Sequence, residues 1–328
     1  MDPPSARARL KSGWLAHSLA GMSAGRFTVL AARWISIAAG LAAAAWLVWL
    51  AYVYLASEAV IERRYTLPSS LVHASTDAAA IQRGKHWATL GGCFGCHGEK
   101  LRGRLLKSNP YLKIWAGDLT AVAAIYSDGD FERAIRHGLT PDAKPMWIMP
   151  SDTFAYMRDK DVTDLISYIR SLPEQHTRLH KIRFDWKARK AIVTGKLVPK
   201  SPKADEIASP ADEGPRYDGG RYLASIACAQ CHGPDLTGSG TAPDLDIAAN
   251  YTRSQFFRLI YSGHSPHGWL PVMSPLAKAR FHEFHDYEVN ALYDYLVARK
   301  TLVPWTREQR AEFNAGKRKD VVPPPRPH

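Results

Sequence analysis

The chain has 328 residues, of which 46% are hydrophobic and 23% charged, and its mean hydropathy is −0.26. This length supports roughly two domains with cores of their own. The composition excludes a disordered chain and a membrane protein with many spans, and four cysteines are too few for a disulfide scaffold.

The net charge of +12 is concentrated in three segments. Residues 1–33 carry a net charge of +4, residues 173–203 carry +7 and residues 301–328 carry +3, which leaves −2 for the remainder. The remainder, where we expect the folded domains, has no basic stripe interleaved with stacking aromatic residues. The sequence therefore disfavours a nucleic-acid partner.

An uncharged segment near the N-terminus predicts a membrane anchor. Residues 34–56 read WISIAAGLAAAAWLVWLAYVYLA, a run that can cross the ~30 Å hydrocarbon layer as one helix. A cleaved signal peptide is the main alternative, but its apolar stretch normally has about 7–15 residues. The basic residues within 1–33 should keep this segment in the cytoplasm. We therefore expect a single span in contact with the lipid bilayer, with the bulk of the chain outside.

The rest of the chain contains one pattern twice. The matched pairs are GKHWATLGGCFGCHG (84–98) with GRYLASIACAQCHG (220–233), FERAIRHG (131–138) with FFRLIYSG (256–263), and DKDVTDLISYIRSL (159–172) with HDYEVNALYDYLVA (285–298). Two copies of one small domain explain the length. The offset between copies shrinks after the first pair, so the first copy has about nine extra residues, which we place in RLLKSNPYLKIW. The predicted ranges are 75–173 for domain 1, 174–215 for a basic connector, 216–300 for domain 2 and 301–328 for a disordered tail.

Each copy is predicted to contain three helical pieces, and strand signals are weak throughout, so the fold class is all-α. The first helix runs into a Cys-x-x-Cys-His motif. The second starts with Asp128 or Thr252 as its N-cap and ends at Gly138 or Gly263. The third places Leu, Ile and Tyr at helical spacing, which indicates a packed face.

All four cysteines fall in two identical motifs. These are Cys93-Phe-Gly-Cys96-His97 and Cys228-Ala-Gln-Cys231-His232. The pattern is the attachment signature of c-type haem: two thiols on one helical turn form thioethers to one porphyrin, and the next residue offers its imidazole to the iron. A thioredoxin-like pair would need a βαβ context, a zinc site would leave both histidines unexplained, and a disulfide within CxxC would be strained. We therefore predict two covalently attached haems.

The second axial ligand of each iron is predicted among the methionines. In the second copy only Met273 is available, 41 residues after His232. In the first copy, alignment from the last helix favours Met146 and the Met-Pro context favours Met149; we predict Met149 and hold Met146 in reserve. Met157 is expected to pack in the core. Histidine ligands are the alternative, namely His137 in the first copy and His264 or His267 in the second.

With these motifs the chain resembles class I dihaem cytochromes c, and more narrowly the membrane-anchored cytochrome c subunits of bacterial gluconate and alcohol dehydrogenases. The resemblance rests on GxxWxxxGGCxxCHG, AGDLT, PMWIMPSDTF and DxDVxxLxxYIRSLP in the first copy, and on VMSPLAKARF and DYEVNALYDYL in the second. It implies short helices wrapped around each haem, Met/His ligation and electron transfer. Those subunits often carry three haems, whereas this chain has two motifs.

The leading function is electron transfer without substrate chemistry, because both irons would have six ligands. The expected partners are a membrane-bound dehydrogenase, a quinol-oxidising or oxidase complex, and other cytochromes. One alternative is a dihaem subunit of a terminal oxidase, and another is a dihaem peroxidase-type enzyme with one open haem. Haem c is attached outside the cytoplasmic membrane, so we expect the haem domains on the periplasmic face of a bacterial inner membrane.

Overall fold

The computed structural model describes residues 24–66, 68–109, 112–173, 182–199, 209–240 and 242–319. The chain divides into a unit of residues 1–58 and a unit of residues 59–328. Most of the basic segment 1–33, parts of the connector 174–215 and the end of the tail lie outside the described residues, so the predictions for those stretches stay predictions.

The described residues of the N-terminal unit, 24–58, belong to one helix, α1 (Ala24–Ile61). An 18-residue window within its segment Thr28–Ile61 has a mean hydropathy of 1.8, and the segment is long and apolar enough to cross a membrane. The helix continues beyond the predicted span 34–56 at both ends. By length and composition, then, an N-terminal apolar helix of the expected kind is present.

The second unit is mostly helical, as the sequence predicts. Its first half contains, in chain order, α2 (Ala78–Leu90), α3 (Cys93–His97), β1 (Arg104–Asn109), β2 (Leu112–Ala116), α4 (Leu119–Ala123), α5 (Asp128–His137), α6 (Ser151–Phe154) and α7 (Asp159–Ser171). The second half contains β3 (Arg183–Phe184), α8 (Trp186–Val193), α9 (Asp218–Ala227), α10 (Ala229–His232), α11 (Arg253–Ser262), β4 (His264–Ser265), β5 (Gly268–Trp269), α12 (Met273–Ala279), α13 (Asp286–Thr301) and α14 (Arg307–Asn314).

The same helix crossing occurs in both halves, and a glycine permits it each time. Helix α2 packs on α7 at Gly84, where an added Cβ would lie 1.9 Å from the backbone oxygen of Asp164. Helix α9 packs on α13 at Gly220, where an added Cβ would lie 2.0 Å from the backbone oxygen of Ala291. Since no side chain fits at either position, glycine is what lets the first and last helix of each half approach closely.

The caps of α5 and α11 explain where these matched helices begin and end. Ser127 and Thr252 each form a capping box with the third residue of the helix. Gly138 and Gly263 terminate the helices in the left-handed conformation, as predicted. The prediction of Thr252 as an N-cap is confirmed, whereas the prediction of Asp128 is wrong. Asp128 is the first residue of α5, and the N-cap is Ser127, one position earlier.

A small sheet departs from the all-α expectation. Strands β1 and β2 form an antiparallel hairpin in which Arg104 pairs with Ala116, and β3 pairs with β2. The hairpin occupies the stretch in which the sequence places the extra residues of the first copy. Its apolar residues suit a pleated strand as well as a helix, so residue preference alone does not distinguish the two structures. These residues are Leu105, Leu106, Ile114 and Trp115.

The tail also differs from the predicted disorder, because α14 lies within 301–328. A capping box of Thr306 and Gln309 begins the helix. Arg310 then forms ion pairs with Asp212 and with Asp218 at the start of α9. These long-range partners tie the first part of the tail to the second half of the unit.

One hydrophobic cluster joins the two halves of the unit. The rings of Trp87 and Tyr222 meet edge to face, with 5.7 Å between their centroids. The hydroxyl of Tyr222 donates to the carboxylate of Asp161 at 2.5 Å, and His86 Nε2 lies 3.0 Å from Glu288 Oε1. The first helices of the halves therefore face each other across a shared core.

Candidate cofactor site

Both Cys-x-x-Cys-His motifs form a single helical turn directly after the first helix of their half. Helix α3 follows α2 after Gly91 and Gly92, and α10 follows α9 after Cys228. Because one turn has 3.6 residues, the two sulfurs and the imidazole of each motif lie close together. The two sites therefore bring the predicted attachment residues into the same local arrangement.

Each motif histidine is oriented by a backbone carbonyl. Nδ1 of His97 lies 2.7 Å from the oxygen of Gly117, and Nδ1 of His232 lies 2.7 Å from the oxygen of Pro243. A hydrogen bond at Nδ1 fixes the ring and directs Nε2 away as a ligand for a metal. This contact leaves Nε2 of both imidazoles as the ring nitrogen available to a metal.

Sequence reasoning missed the two carbonyl oxygens that accept these hydrogen bonds. Gly117 lies in AGDLT (116–120) and Pro243 in APDLD (242–246). In both segments the aspartate caps the following helical turn: Asp118 accepts from the amide of Thr120, and Asp244 from that of Asp246. The A-x-D-L pattern shared by the two segments is the sequence signal from which these two carbonyls could have been predicted.

The loop after each motif repeats the same unusual backbone. Leu101 and Leu236, each four residues after its motif histidine, have φ of 55° and 65° and are fully buried. Their oxygens accept from the amides of Leu119 and Leu245 at 2.8 and 3.0 Å. A leucine in the left-handed region is uncommon, and persists where the surrounding structure holds it. These bonds position the A-x-D-L segments beneath the histidines.

A mainly apolar cavity of about 330 Å³ opens at the first site. It is lined by Cys93, Cys96 and His97 on one side and by Met146 and Met149 among others. Further lining comes from Trp87, Trp115, Phe131, Trp147, Leu165 and Ile169. Two sulfurs, one imidazole and a thioether around an apolar space are the donor set that a covalently attached haem requires, so the residues fit this group.

Both predicted methionine ligands pack against the hydrophobic cluster of the unit. Met149 is half-buried and packs against the hydrophobic cluster, and so does Met273, the first residue of α12. Met157 is 3% exposed in the core, as expected, and also lines the cavity. Met146 lines it too, so both candidates of the first copy face the same space.

The histidines considered as alternative ligands do not share the positions of the methionines. Among the residues that line the cavity of the first half, Met146 and Met149 are present and His137 is not. In the second half, His264 and His267 are exposed on and beside the short strands β4 and β5. This distribution favours methionine over histidine in the first half.

Burial shifts the pKa values of two motif cysteines and one motif histidine. It raises the pKa of the Cys93 thiol to about 11 and that of Cys228 to about 12, which is opposite to a redox-active pair, whose thiolate is stabilised. Burial also lowers the pKa of His97, which keeps the imidazole neutral. Neutral imidazole is the state that coordinates a metal.

Comparison with known proteins agrees with this geometry. Residues 81–173 match the family described as cytochrome c. The fructose dehydrogenase cytochrome subunit of Gluconobacter japonicus is 24% identical over 70% of this chain and 54% of its own length. The gluconate 2-dehydrogenase cytochrome c subunit of Pantoea cypripedii is 27% identical over 56% of this chain and 45% of its own.

A third relative is similar over a shorter stretch. The cytochrome c subunit of the quinone-dependent alcohol dehydrogenase of Gluconacetobacter polyoxogenes is 30% identical over 28% of this chain and 22% of its own length. The chain spans about half the length, or less, of these curated relatives. Residues 81–173 thus form a cytochrome c domain, which implies covalently bound haem c, and the chain resembles the cytochrome c subunits of fructose, gluconate and alcohol dehydrogenases.

Proposed function

We propose that the chain is a membrane-anchored dihaem c-type cytochrome that transfers electrons between a membrane-associated dehydrogenase or quinol-oxidising complex and a downstream respiratory acceptor. The observation that carries the proposal is the pair of motif histidines, each with Nδ1 at 2.7 Å from a backbone oxygen. A redox cysteine pair would not require this bond at both motifs. Haem, when bound, supplies the one-electron chemistry.

The proposal includes two tandem class I cytochrome c domains, at about 75–173 and 216–300. Support comes from features that occur at matching positions in both halves: the glycine-mediated helix crossing, the capping box, the left-handed leucine and the carbonyl behind the histidine. The family match covers the first of these ranges. The second range is assigned by its internal likeness to the first.

Within each domain we assign the attachment and axial roles by residue. Cys93 and Cys96, and likewise Cys228 and Cys231, form the thioethers. The axial pairs are then His97 with Met149, and His232 with Met273. Methionine paired with histidine raises the reduction potential relative to two histidines, which suits a carrier late in a chain of donors.

The anchor proposal concerns residues 34–56, within α1. A single apolar helix preceded by basic residues is expected to leave the N-terminus in the cytoplasm and residues after 58 in the periplasm of a bacterial inner membrane. Attachment to the membrane keeps an electron carrier close to membrane-bound donors and acceptors, so that they meet without diffusion in bulk solution.

The partner proposed first is a dehydrogenase, because the relatives named above are subunits of dehydrogenases. Oxidation of a substrate would then occur on the partner, and this chain would accept and pass on electrons. A subunit of a terminal oxidase is the second candidate, since an anchored carrier with the same ligands would serve there. A peroxidase-type enzyme needs an iron with an open position, which a methionine at both sites opposes.

The experiment is the visible spectrum of the purified, detergent-extracted chain, oxidised and reduced, with a pyridine haemochrome assay. We expect two haems per chain and the weak far-red band of methionine sulfur on ferric iron, at half strength in Met149→Ala and in Met273→Ala. Copurification from membranes then tests the partner. Immediate binding of added cyanide by one ferric iron of the wild-type chain would contradict the electron-carrier proposal and favour a peroxidase-type enzyme.

A further inference from the structure

Arg280 is a buried cation between the two motif helices. It follows the last residue of α12, and only 7% of its surface is exposed. Its Nε donates to the backbone oxygen of Leu90, the last residue of α2, and its Nη2 to that of Ile226 near the end of α9, at 3.4 Å. One side chain therefore binds the carboxyl ends of both helices that lead into the cysteines.

The side chain of Gln230 completes this contact from within the second motif. It accepts from Nη1 of Arg280 at 3.2 Å and donates from Nε2 to the oxygen of Gly91 at 3.1 Å. The guanidinium also lies against Gly92, where an added Cβ would be 2.9 Å from Nη1 and where φ is 75°. Glycine at 92 thus makes room for the arginine of the other half.

Among the described residues, no carboxylate forms an ion pair with Arg280. Its acceptors among the described residues are two backbone oxygens and one amide oxygen, all neutral. The carbonyl ends of α2 and α9 supply partial negative charge, which explains how the cation is tolerated there. All four motif cysteines lie within electrostatic range of it. Because Arg280 itself is buried, its field is screened less than that of an exposed charge.

We propose that Arg280 is a shared positioning residue for the two haem sites, holding the motif helices in fixed relation and raising both reduction potentials through its charge. The inference rests on the proposed dihaem function. A nearby positive charge favours the reduced iron, which carries one positive charge fewer than the oxidised form. One residue would in this way set both potentials together.

The test is a potentiometric titration of the full haem-loaded chain and three variants. In Arg280→Gln we expect the equilibrium constant for reduction to fall at least threefold at both haems, which is about 28 mV for a one-electron couple. Arg280→Lys keeps the charge, so both constants should stay within twofold of wild type. The matched control Arg310→Gln removes a charge at the opposite end of α9, roughly 15 Å of helix away, and should also leave both within twofold.

A further variant keeps Arg280 and so separates the effect of charge from misfolding caused by loss of the arginine. Gln230→Glu places a carboxylate beside the guanidinium and should lower both potentials in the same direction as Arg280→Gln. Unchanged potentials in Gln230→Glu, a shift at one haem alone, or a loss in Arg280→Lys as large as in Arg280→Gln would overturn the inference. The haemochrome count separates the two claims, since a wild-type chain with fewer than two haems contradicts the proposed function itself.

Discussion

Gly219 and Gly220 are neighbours in α9, and the same substitution should have opposite effects on them. At Gly219 the nearest atom to an added Cβ is the Cβ of Ala291 at 4.0 Å, an ordinary contact. At Gly220 an added Cβ would lie 2.0 Å from the oxygen of Ala291 and 2.5 Å from the Cβ of Tyr295. Only the second change pushes α9 away from α13.

The magnitudes follow from two opposing effects. Alanine in a helix interior is more favourable than glycine by about 0.8–1.0 kcal/mol. Overpacking costs about 1–3 kcal/mol, occasionally more, and a clash with backbone at 2.0 Å belongs at the upper end. Gly219→Ala should therefore raise the free energy of unfolding by up to about 1 kcal/mol, and Gly220→Ala should lower it by about 2 kcal/mol.

The assay is thermal unfolding of the detergent-solubilised, haem-loaded chain, followed by far-ultraviolet circular dichroism at matched haem content. With roughly 2–4 °C per kcal/mol for a domain of this size, Gly219→Ala should raise Tm by up to about 2–4 °C and Gly220→Ala should lower it by about 4–8 °C. Shifts of the same sign, or a Gly220→Ala chain as stable as wild type, would refute the helix crossing as described.

Three further predictions concern single side chains. Met149→Ala should remove half of the far-red methionine–iron band, whereas Met146→Ala should leave it intact. Burial raises the pKa of Asp164, but hydrogen bonds from Arg83 of α2 and Lys160 of α7 outweigh burial and hold this pKa below its ordinary value. The stability that results is present at neutral pH and is lost as the pH falls through the lowered pKa. Asp164→Asn should therefore lower the urea midpoint at pH 7 and flatten its decline in acid. Tyr222→Phe should cost about 1–2 kcal/mol in the same urea assay, because it leaves the carboxylate of Asp161 without its hydroxyl partner.

Each of these has an outcome that contradicts it. A full-strength band in Met149→Ala together with a half-strength band in Met146→Ala would make Met146 the ligand in place of Met149. Parallel acid curves for wild type and Asp164→Asn would mean that the carboxylate contributes nothing to acid stability. An unchanged midpoint in Tyr222→Phe would mean that the contact between the halves carries no net free energy.

The helices and motifs of this chain were predictable because their signals are local. Thr252 as an N-cap and Gly138 and Gly263 as C-caps follow from the backbone groups that a helix end leaves unsatisfied. The two cysteine motifs were recognisable in the sequence for the same reason, since one helical turn fixes their geometry. The resemblance to dehydrogenase cytochrome subunits also follows from these residues and agrees with the relatives.

What sequence reasoning missed depends on partners distant in the chain. Helix α14 is held by Asp212 and Asp218, nearly a hundred residues from Arg310. The carbonyl of Pro243 acquires its role only when the loop folds beneath His232. Arg280 looks like any surface arginine in the sequence, and its burial against the end of α2 became visible only in the fold.

The intact mass of the purified chain counts its covalently attached haems and so tests the dihaem proposal. We expect a mass increase equal to two covalently attached haems. We also expect the Cys93→Ser/Cys96→Ser and Cys228→Ser/Cys231→Ser chains each to retain one. A wild-type chain that carries one haem, or none, would contradict this proposal.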